Sequence, residues 1–146
     1  MIFPRLNRTE PEKVWMCVKA GEALLVGRPV ALHFNGTDDG KVGYTANAAA
    51  DAFLVVGLAD KAIAANDYGL VQCYGFRSDA QFICASDAAV DALAAMAVGS
   101  ASSGYLYMSV SIGAATMLQP NFVLALSASQ TTTAGLVTGG VFIRCM

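Results

Sequence analysis

The feature that most constrains this fold is a short apolar run that is cut by a glycine and followed by another apolar run. The pattern occurs around Gly27, within residues 23–32, and again in residues 69–76, where Gly75 interrupts it. Glycine-punctuated apolar runs with neighbouring turn residues are typical of strands joined by tight turns. The sequence therefore predicts a mainly β protein, folded as a compact barrel or sandwich-like domain. Pro29 fits the start or edge of a strand, and residues 77–79 are expected to form a turn. The predicted strands are 13–19, 24–26, 30–34, 41–45, 53–59, 70–76, 80–84, 105–110, 121–126 and 141–145.

The chain is unusually apolar for a protein without a membrane segment. Hydrophobic residues make up 55% of its 146 residues, charged residues 14%, and the mean hydropathy is +0.51. No stretch reaches the roughly 18 unbroken apolar residues of a membrane helix, so we expect no membrane partner. Large apolar patches mark interaction sites, and we therefore expect the chain to associate with itself. The residues that we assign to this subunit interface are Leu93, Met96, Tyr105 and Tyr107.

Charge is distributed unevenly along the chain. The net charge is −2, which provides no basic field for nucleic acid. Residues 1–12 contain two prolines and little periodicity, and are predicted to form an N-terminal arm ahead of a single β-rich domain at 13–146. Such arms are often ordered only on a partner. The arm residues that we expect to bind a partner are Ile2, Phe3, Arg5 and Arg8.

One short helix is predicted at about residues 87–98. Ser86 or Asp87 can cap its first turn, and Gly99 can end it in the left-handed conformation. The intervening apolar residues recur at helical spacing and would form one packed face. They are Ala89, Val90, Leu93, Met96 and Ala97.

The residues that usually carry catalysis or bind metals are sparse. His33 is the single histidine, and nucleophilic catalysis needs a base within hydrogen-bond reach of its nucleophile. The loop at 35–40 offers oxygen donors but lacks the spacing of a calcium-binding loop. The four cysteines form no CxxC pair, and their apolar surroundings predict reduced, buried thiols. We therefore expect no enzyme, no metal and no cofactor.

Several short motifs resemble those of the capsid decoration, or cement, proteins of tailed bacteriophages. The resemblance covers about residues 13–85 and the C-terminal end, and it is weaker over 86–135. Its first motif is Gly21-x-x-Leu24, followed by Gly27-x-x-Val30-x-Leu32 and the Asp39-Gly40 turn. The further segments that resemble the family are 56–60, 69–75 and 141–146.

The resemblance implies a structural virion protein, made in the host cytoplasm and located on the capsid exterior. Such a protein binds the outer surface of the head as a homotrimer and stabilises the lattice of the major capsid protein. Its partners would be the major capsid protein and further copies of itself, with the arm fastening it to the shell.

The sequence leaves two other functional hypotheses open. The chain could be a head fibre or adhesin module, with the Ser/Thr-rich segment at 127–134 facing a host surface. It could also be a small ligand-binding barrel or hydrolase, which would require His33 or the aspartates to converge in a pocket.

Overall fold

The structure is a computed structural model, and it describes residues 13–34, 37, 38, 40–46, 54–84, 95–98, 106–108, 123–125 and 135–145. The described part of the chain contains nine strands in a single sheet. The strands are β1 (Val14–Ala20), β2 (Pro29–Leu32), β3 (Val42–Thr45), β4 (Val55–Ala59), β5 (Tyr68–Cys84), β6 (Ala95–Val98), β7 (Leu106–Met108), β8 (Val123–Ala125) and β9 (Gly135–Arg144).

The first five strands close into a small barrel. They are hydrogen-bonded in the order β1-β3-β2-β4-β5, and β5 pairs back onto β1. The β1–β3 pair is parallel, and the other four pairs are antiparallel. Closure leaves no free strand edge in this ring. The barrel is filled by one cluster of buried side chains: Val18, Ala20, Leu24, Val30, Ala59, Ile63 and Val71.

A second ring of pairings begins on the same long strand. The 17-residue β5 continues past the barrel and pairs with both β7 and β9, and β6 and β8 complete the circuit. Buried side chains of the second ring include Phe82, Val123, Val141 and Ile143. The strand β5 is therefore a structural element of both rings.

Two glycines allow backbones to approach where a side chain would not fit. A Cβ atom on Gly57 of β4 would overlap the carbonyl oxygen of Gln72 on β5. Gly27 has a φ of +73°, and a Cβ there would lie 2.6 Å from the carbonyl oxygen of Asp79. The Gly27 amide also donates to the Ala59 carbonyl, so this turn is held between β4 and β5.

The mainly β prediction is confirmed, and most predicted strands are present with small changes of boundary. β2 begins at Pro29, which suits a residue that cannot donate a ladder hydrogen bond. The predicted strands at 70–76 and 80–84 are one continuous strand, with an irregularity between Arg77 and Ala80 where a turn was expected.

The predicted helix at 87–98 is wrong in the part that the structure describes. Ala95–Val98 form β6, in which Met96 pairs with both Met108 of β7 and Val123 of β8. Pairing on both sides outweighs the weak helical preference of this Ala/Met/Val segment. Residues 87–94 lie outside the described residues, as do the predicted arm at 1–12 and the Ser/Thr-rich segment at 127–134.

Candidate interaction surface

The most conspicuous surface of the described residues is the outer side of β1 and β5. Successive side chains of a strand point to opposite faces, and in β1 the even-numbered positions supply the barrel side. The odd-numbered positions face outwards, together with two residues at the start of β5. We define the β1/β5 face by these six residues: Lys13, Trp15, Cys17, Lys19, Tyr68 and Leu70.

The large apolar side chains of this face are unusually open to solvent. Trp15 is 44% exposed, Leu70 50% and Tyr68 73%. The register places Cys17 directly opposite Leu70, and Lys19 directly opposite Tyr68. Directly opposed residues have Cβ atoms about 5 Å apart, so the side chains form one contiguous patch. Exposed apolar patches of this kind are typical of interaction sites.

A groove of about 280 Å³ borders the face at Tyr68 and Leu70. Its wall is formed by the connection between β4 and β5, which contributes Asp60, Lys61 and Asp67. A bridge between Leu24 and Ile63 and the hydrogen bond from the Ala20 amide to the Asp67 carbonyl hold this connection against the barrel. The groove is therefore a fixed feature of the barrel surface, large enough for one inserted side chain.

A second, smaller group of polar and aromatic residues lies between β2 and β3. The rings of His33 and Tyr44 stack at a centroid distance of 4.0 Å, and the Tyr44 hydroxyl lies 3.4 Å from Oδ2 of Asp38. Desolvation raises the pKa of Tyr44, and the carboxylates of Asp38 and Glu22 raise it further. His33 therefore contacts the ring of Tyr44, and it is not among the residues that line the groove described above.

Arg77 is a buried cation between the two rings. Its side chain is 4% exposed, with Nε 2.8 Å from Oδ1 of Asp79 and Nη1 3.6 Å from Oδ1 of Asp60. Nη2 donates to the Asp60 carbonyl and to Asp79, whereas Nε and Nη1 form ion pairs without aligned hydrogen bonds. A buried charge requires such partners, so these contacts connect the end of β4 to the irregularity in β5.

The cysteines differ in their environments. Cys73 is buried, and burial raises the pKa of its thiol. Cys145, whose amide donates to the Cys73 carbonyl, has its pKa raised to about 12 by burial and by the neighbouring Cys73. Cys17 is exposed, so the prediction that the cysteines are buried is wrong for this residue. It occupies an outward-facing position of β1.

The structure describes two of the eight residues assigned to sites from the sequence. Met96 lies on β6 and Tyr107 on the adjacent β7, one register position apart. The other six lie outside the described residues: Ile2, Phe3, Arg5, Arg8, Leu93 and Tyr105. The assignment of these residues to an arm and a subunit interface stays a prediction.

The β1/β5 face was missed from the sequence, although one signal for it was present. The segment 13–19 is rich in β-favouring residues, and Trp15 is separated from Lys13 and Lys19 by even numbers of positions, so the three side chains share one face of a strand. That pattern identifies the exposed tryptophan once the strand is recognised. The register that brings Leu70 and Tyr68 beside it is a tertiary feature that no local pattern indicates.

No group of three His, Cys, Asp or Glu side chains in the described segments is placed to hold a metal ion. These segments also contain no helix that is both long enough and apolar enough to cross a membrane.

The closed five-stranded ring and the long shared strand define a β-barrel fold with a second ring of strands attached. No protein-family model matches the chain, and no curated protein matches it significantly. Among solved structures, the chain is similar to the N base of the head fiber gp8.5 in bacteriophage phi29. The TM-score is 0.50 and the identity 16%, and the alignment covers 92% of this chain and 96% of that chain. At this identity the similarity shows the fold.

Proposed function

We propose that this chain is a structural protein of a bacteriophage head. The observation that supports the proposal is the fold shared with the phi29 head fiber base over nearly the full length of both chains. The motif resemblance to phage decoration proteins points to the same class of particle independently. The phi29 protein is named for the head, and that location is transferred here as a hypothesis.

The described residues are consistent with a binding body that presents a fixed surface. The closed barrel holds the β1/β5 face on two paired strands, and three large apolar side chains of that face are open to solvent. Many weak contacts repeated over a shell give avidity without strong single affinity. In this proposal the chain is not an enzyme and needs no cofactor; it binds the major capsid protein on the outside of the head.

The finer form of the proposal is a cement protein. A homotrimer would form through the predicted interface on Leu93, Met96, Tyr105 and Tyr107, and the arm would fasten it to the shell. Bound trimers would then raise the resistance of the capsid lattice to internal pressure. A chain that lacks residues 1–12 tests the arm: we expect weaker attachment to heads, and unchanged saturation would contradict this part of the proposal.

A head fibre base is the second candidate, and the phi29 similarity favours it directly. Such a base would attach a more distal, host-facing segment to the head. A cement protein and a fibre base would both attach to the head, but they would affect head stability and adsorption differently. Cement raises the temperature at which heads disrupt, whereas a fibre base leaves that temperature unchanged and its loss reduces adsorption to cells.

The test compares particles of the phage that encodes this chain with particles from which its gene is deleted. Cryo-electron microscopy should show density on the outer head surface of the intact particles that is absent from the deletion. Thermal disruption and adsorption of the two particles then separate cement from fibre base. Density on the tail, or no difference between the particles, would contradict the proposal.

A further inference from the structure

The outer side of β1 and β5 has a composition that the barrel itself does not require. Val18 and Val71 fill the interior from these two strands, while Trp15, Tyr68 and Leu70 point away from it and remain 44–73% exposed. Polar residues at the outward positions would leave the same core intact. Since tryptophan and tyrosine are enriched among the residues that dominate binding energy in protein interfaces, their clustering indicates a binding role.

The charge of this face selects the partner. Lys13, immediately before β1, and Lys19, within it, lie at the two ends of the outward row, and among the described residues neither forms an ion pair. The chain as a whole carries a net charge of −2, so this row is basic on an acidic protein, and the groove wall beside it carries Asp60 and Asp67 together with Lys61. Carboxylates on a partner would complement the two ammonium groups and steer the encounter.

The apolar centre distinguishes a protein partner from other polyanions. Nucleic acid is bound mainly through many contacts to phosphates, and two lysines provide few of them. A protein surface can instead place apolar side chains on Trp15 and Leu70 and carboxylates beside the lysines. The groove next to Tyr68 would accept one side chain of such a partner. The face would then form the centre of a larger interface.

We infer that the β1/β5 face docks onto an acidic protein surface with an apolar centre, with Lys13 and Lys19 meeting carboxylates around a core of Trp15, Tyr68 and Leu70. This inference rests on the proposed function, which assigns that acidic surface to the phage head. The inference specifies which side of the barrel faces the shell. The residues of that side belong neither to the predicted arm nor to the predicted subunit interface.

The experiment measures the affinity of purified variants for heads that lack the protein. The double variant Trp15→Ser/Leu70→Ser should lower the affinity by about tenfold or more, as expected for the loss of central interface side chains. The matched control is Phe34→Ser, which removes another exposed aromatic side chain, 65% exposed, in the connection between β2 and β3. Lys13→Glu/Lys19→Glu should lower the affinity similarly and reduce its salt dependence, whereas Lys13→Arg/Lys19→Arg, which keeps both positive charges, should change neither. Thermal unfolding of each variant alone verifies that it is folded.

A footprint on the native protein gives a second readout that needs no substitution. Cys17 lies in the middle of the face and is exposed, so its alkylation by a maleimide, read by peptide mass mapping, should slow about tenfold or more when heads are bound. The native protein could bind heads while the alkylation of Cys17 and the affinity of the face variants stay unchanged. That result would overturn the docking inference and leave the proposed function standing.

Two further outcomes are also decisive. Failure of the native protein to bind heads would overturn the proposed function, and this inference with it. If the face variants lose self-association in mass photometry while head binding is retained, the face is a seam between copies and the docking inference is wrong.

Discussion

At the scale of single residues, Gly57 tests the close approach of β4 to β5. Gly57→Ala should lower the free energy of unfolding by about 2–3 kcal/mol, because its Cβ would overlap the backbone of Gln72, which cannot move aside as a side chain can. Urea unfolding followed by circular dichroism measures the change. Gly140→Ala is the matched control, since the nearest atom would lie at an ordinary 3.4 Å. Equal stability of the two variants would contradict this account of the barrel.

The buried Arg77 makes an asymmetric prediction. Removing the cation with Arg77→Met leaves Asp60 and Asp79, whose side chains are 33% and 55% exposed and can be hydrated. Removing both anions with Asp60→Asn/Asp79→Asn leaves a cation that is 4% exposed. We expect a loss of about 1–3 kcal/mol for the first and about 3–5 kcal/mol for the second. Chemical denaturation of both variants shows which one loses more free energy of unfolding. A larger loss for Arg77→Met would show that Arg77 is hydrated in solution.

Cys145 predicts how stability depends on alkaline pH. Its thiol has a pKa raised from 9.0 to about 12 in the folded protein, so the unfolded chain loses this proton first as pH rises. Stability is therefore fully present below about pH 9 and declines towards pH 12, by up to about 1.4 kcal/mol per pH unit from this group. Unfolding measured from pH 8 to pH 11 tests this.

The controls for the pH prediction are two alanine variants. Cys145→Ala should reduce the alkaline slope, because it removes the half-buried thiol whose ionisation is suppressed by folding. Cys17→Ala, at an exposed cysteine of β1, is the matched control for the substitution itself. An identical slope in all three proteins would show that other groups, such as Tyr44 and Cys73, determine the alkaline behaviour.

At the scale of elements, β5 is the strand that connects the two rings. It pairs with β1 and β4 near its start and with β9 and β7 towards its end. Hydrogen exchange followed by mass spectrometry should therefore show one cooperative unit along β5, with slow exchange in both halves. Gly57→Ala, placed in the first ring, should accelerate exchange in β9 of the second ring as well. Acceleration confined to the first ring would show that the rings unfold independently.

The elements also show how far local sequence patterns determine this fold. The β-favouring residues between Lys13 and Lys19 identified β1, and Pro29 marked the start of β2. Arg77-Ser78-Asp79 has the composition of a turn, but ring closure keeps it within β5 as an irregularity opposite Gly140. The alanine-rich segment that ends in β6 has helical spacing, and only its pairing with β7 and β8 makes it a strand. Local signals are insufficient where two partners outside the segment decide its conformation.

The β1/β5 face likewise combines a local sequence signal with a pairing between distant segments. A tryptophan in a predicted strand was visible in the sequence, but its neighbours Leu70 and Tyr68 are more than 50 positions away along the chain. The β1–β5 register, which follows from closing the barrel, creates the patch. The arm and the subunit interface were argued from composition, and they stay predictions beside a surface that the fold assembles.

At the scale of the whole molecule, the described residues form a closed β body, and its basic β1/β5 face carries three of their five exposed large apolar side chains. Its fold is similar to the base of a phage head fiber, and its function is proposed to be attachment to a head. A symmetric shell offers each binding protein a fixed number of equivalent positions. Specific attachment should therefore saturate at a fixed number of copies per head. Adventitious adhesion through an apolar patch should not saturate at a fixed number.

The measurement that tests this most directly is saturation binding of the purified native chain to heads that lack it, followed by sedimentation and quantitative mass spectrometry. The account predicts a plateau at a fixed number of copies per head, unchanged when the protein is added in further excess. Binding that rises without a plateau, or no binding at all, would contradict it.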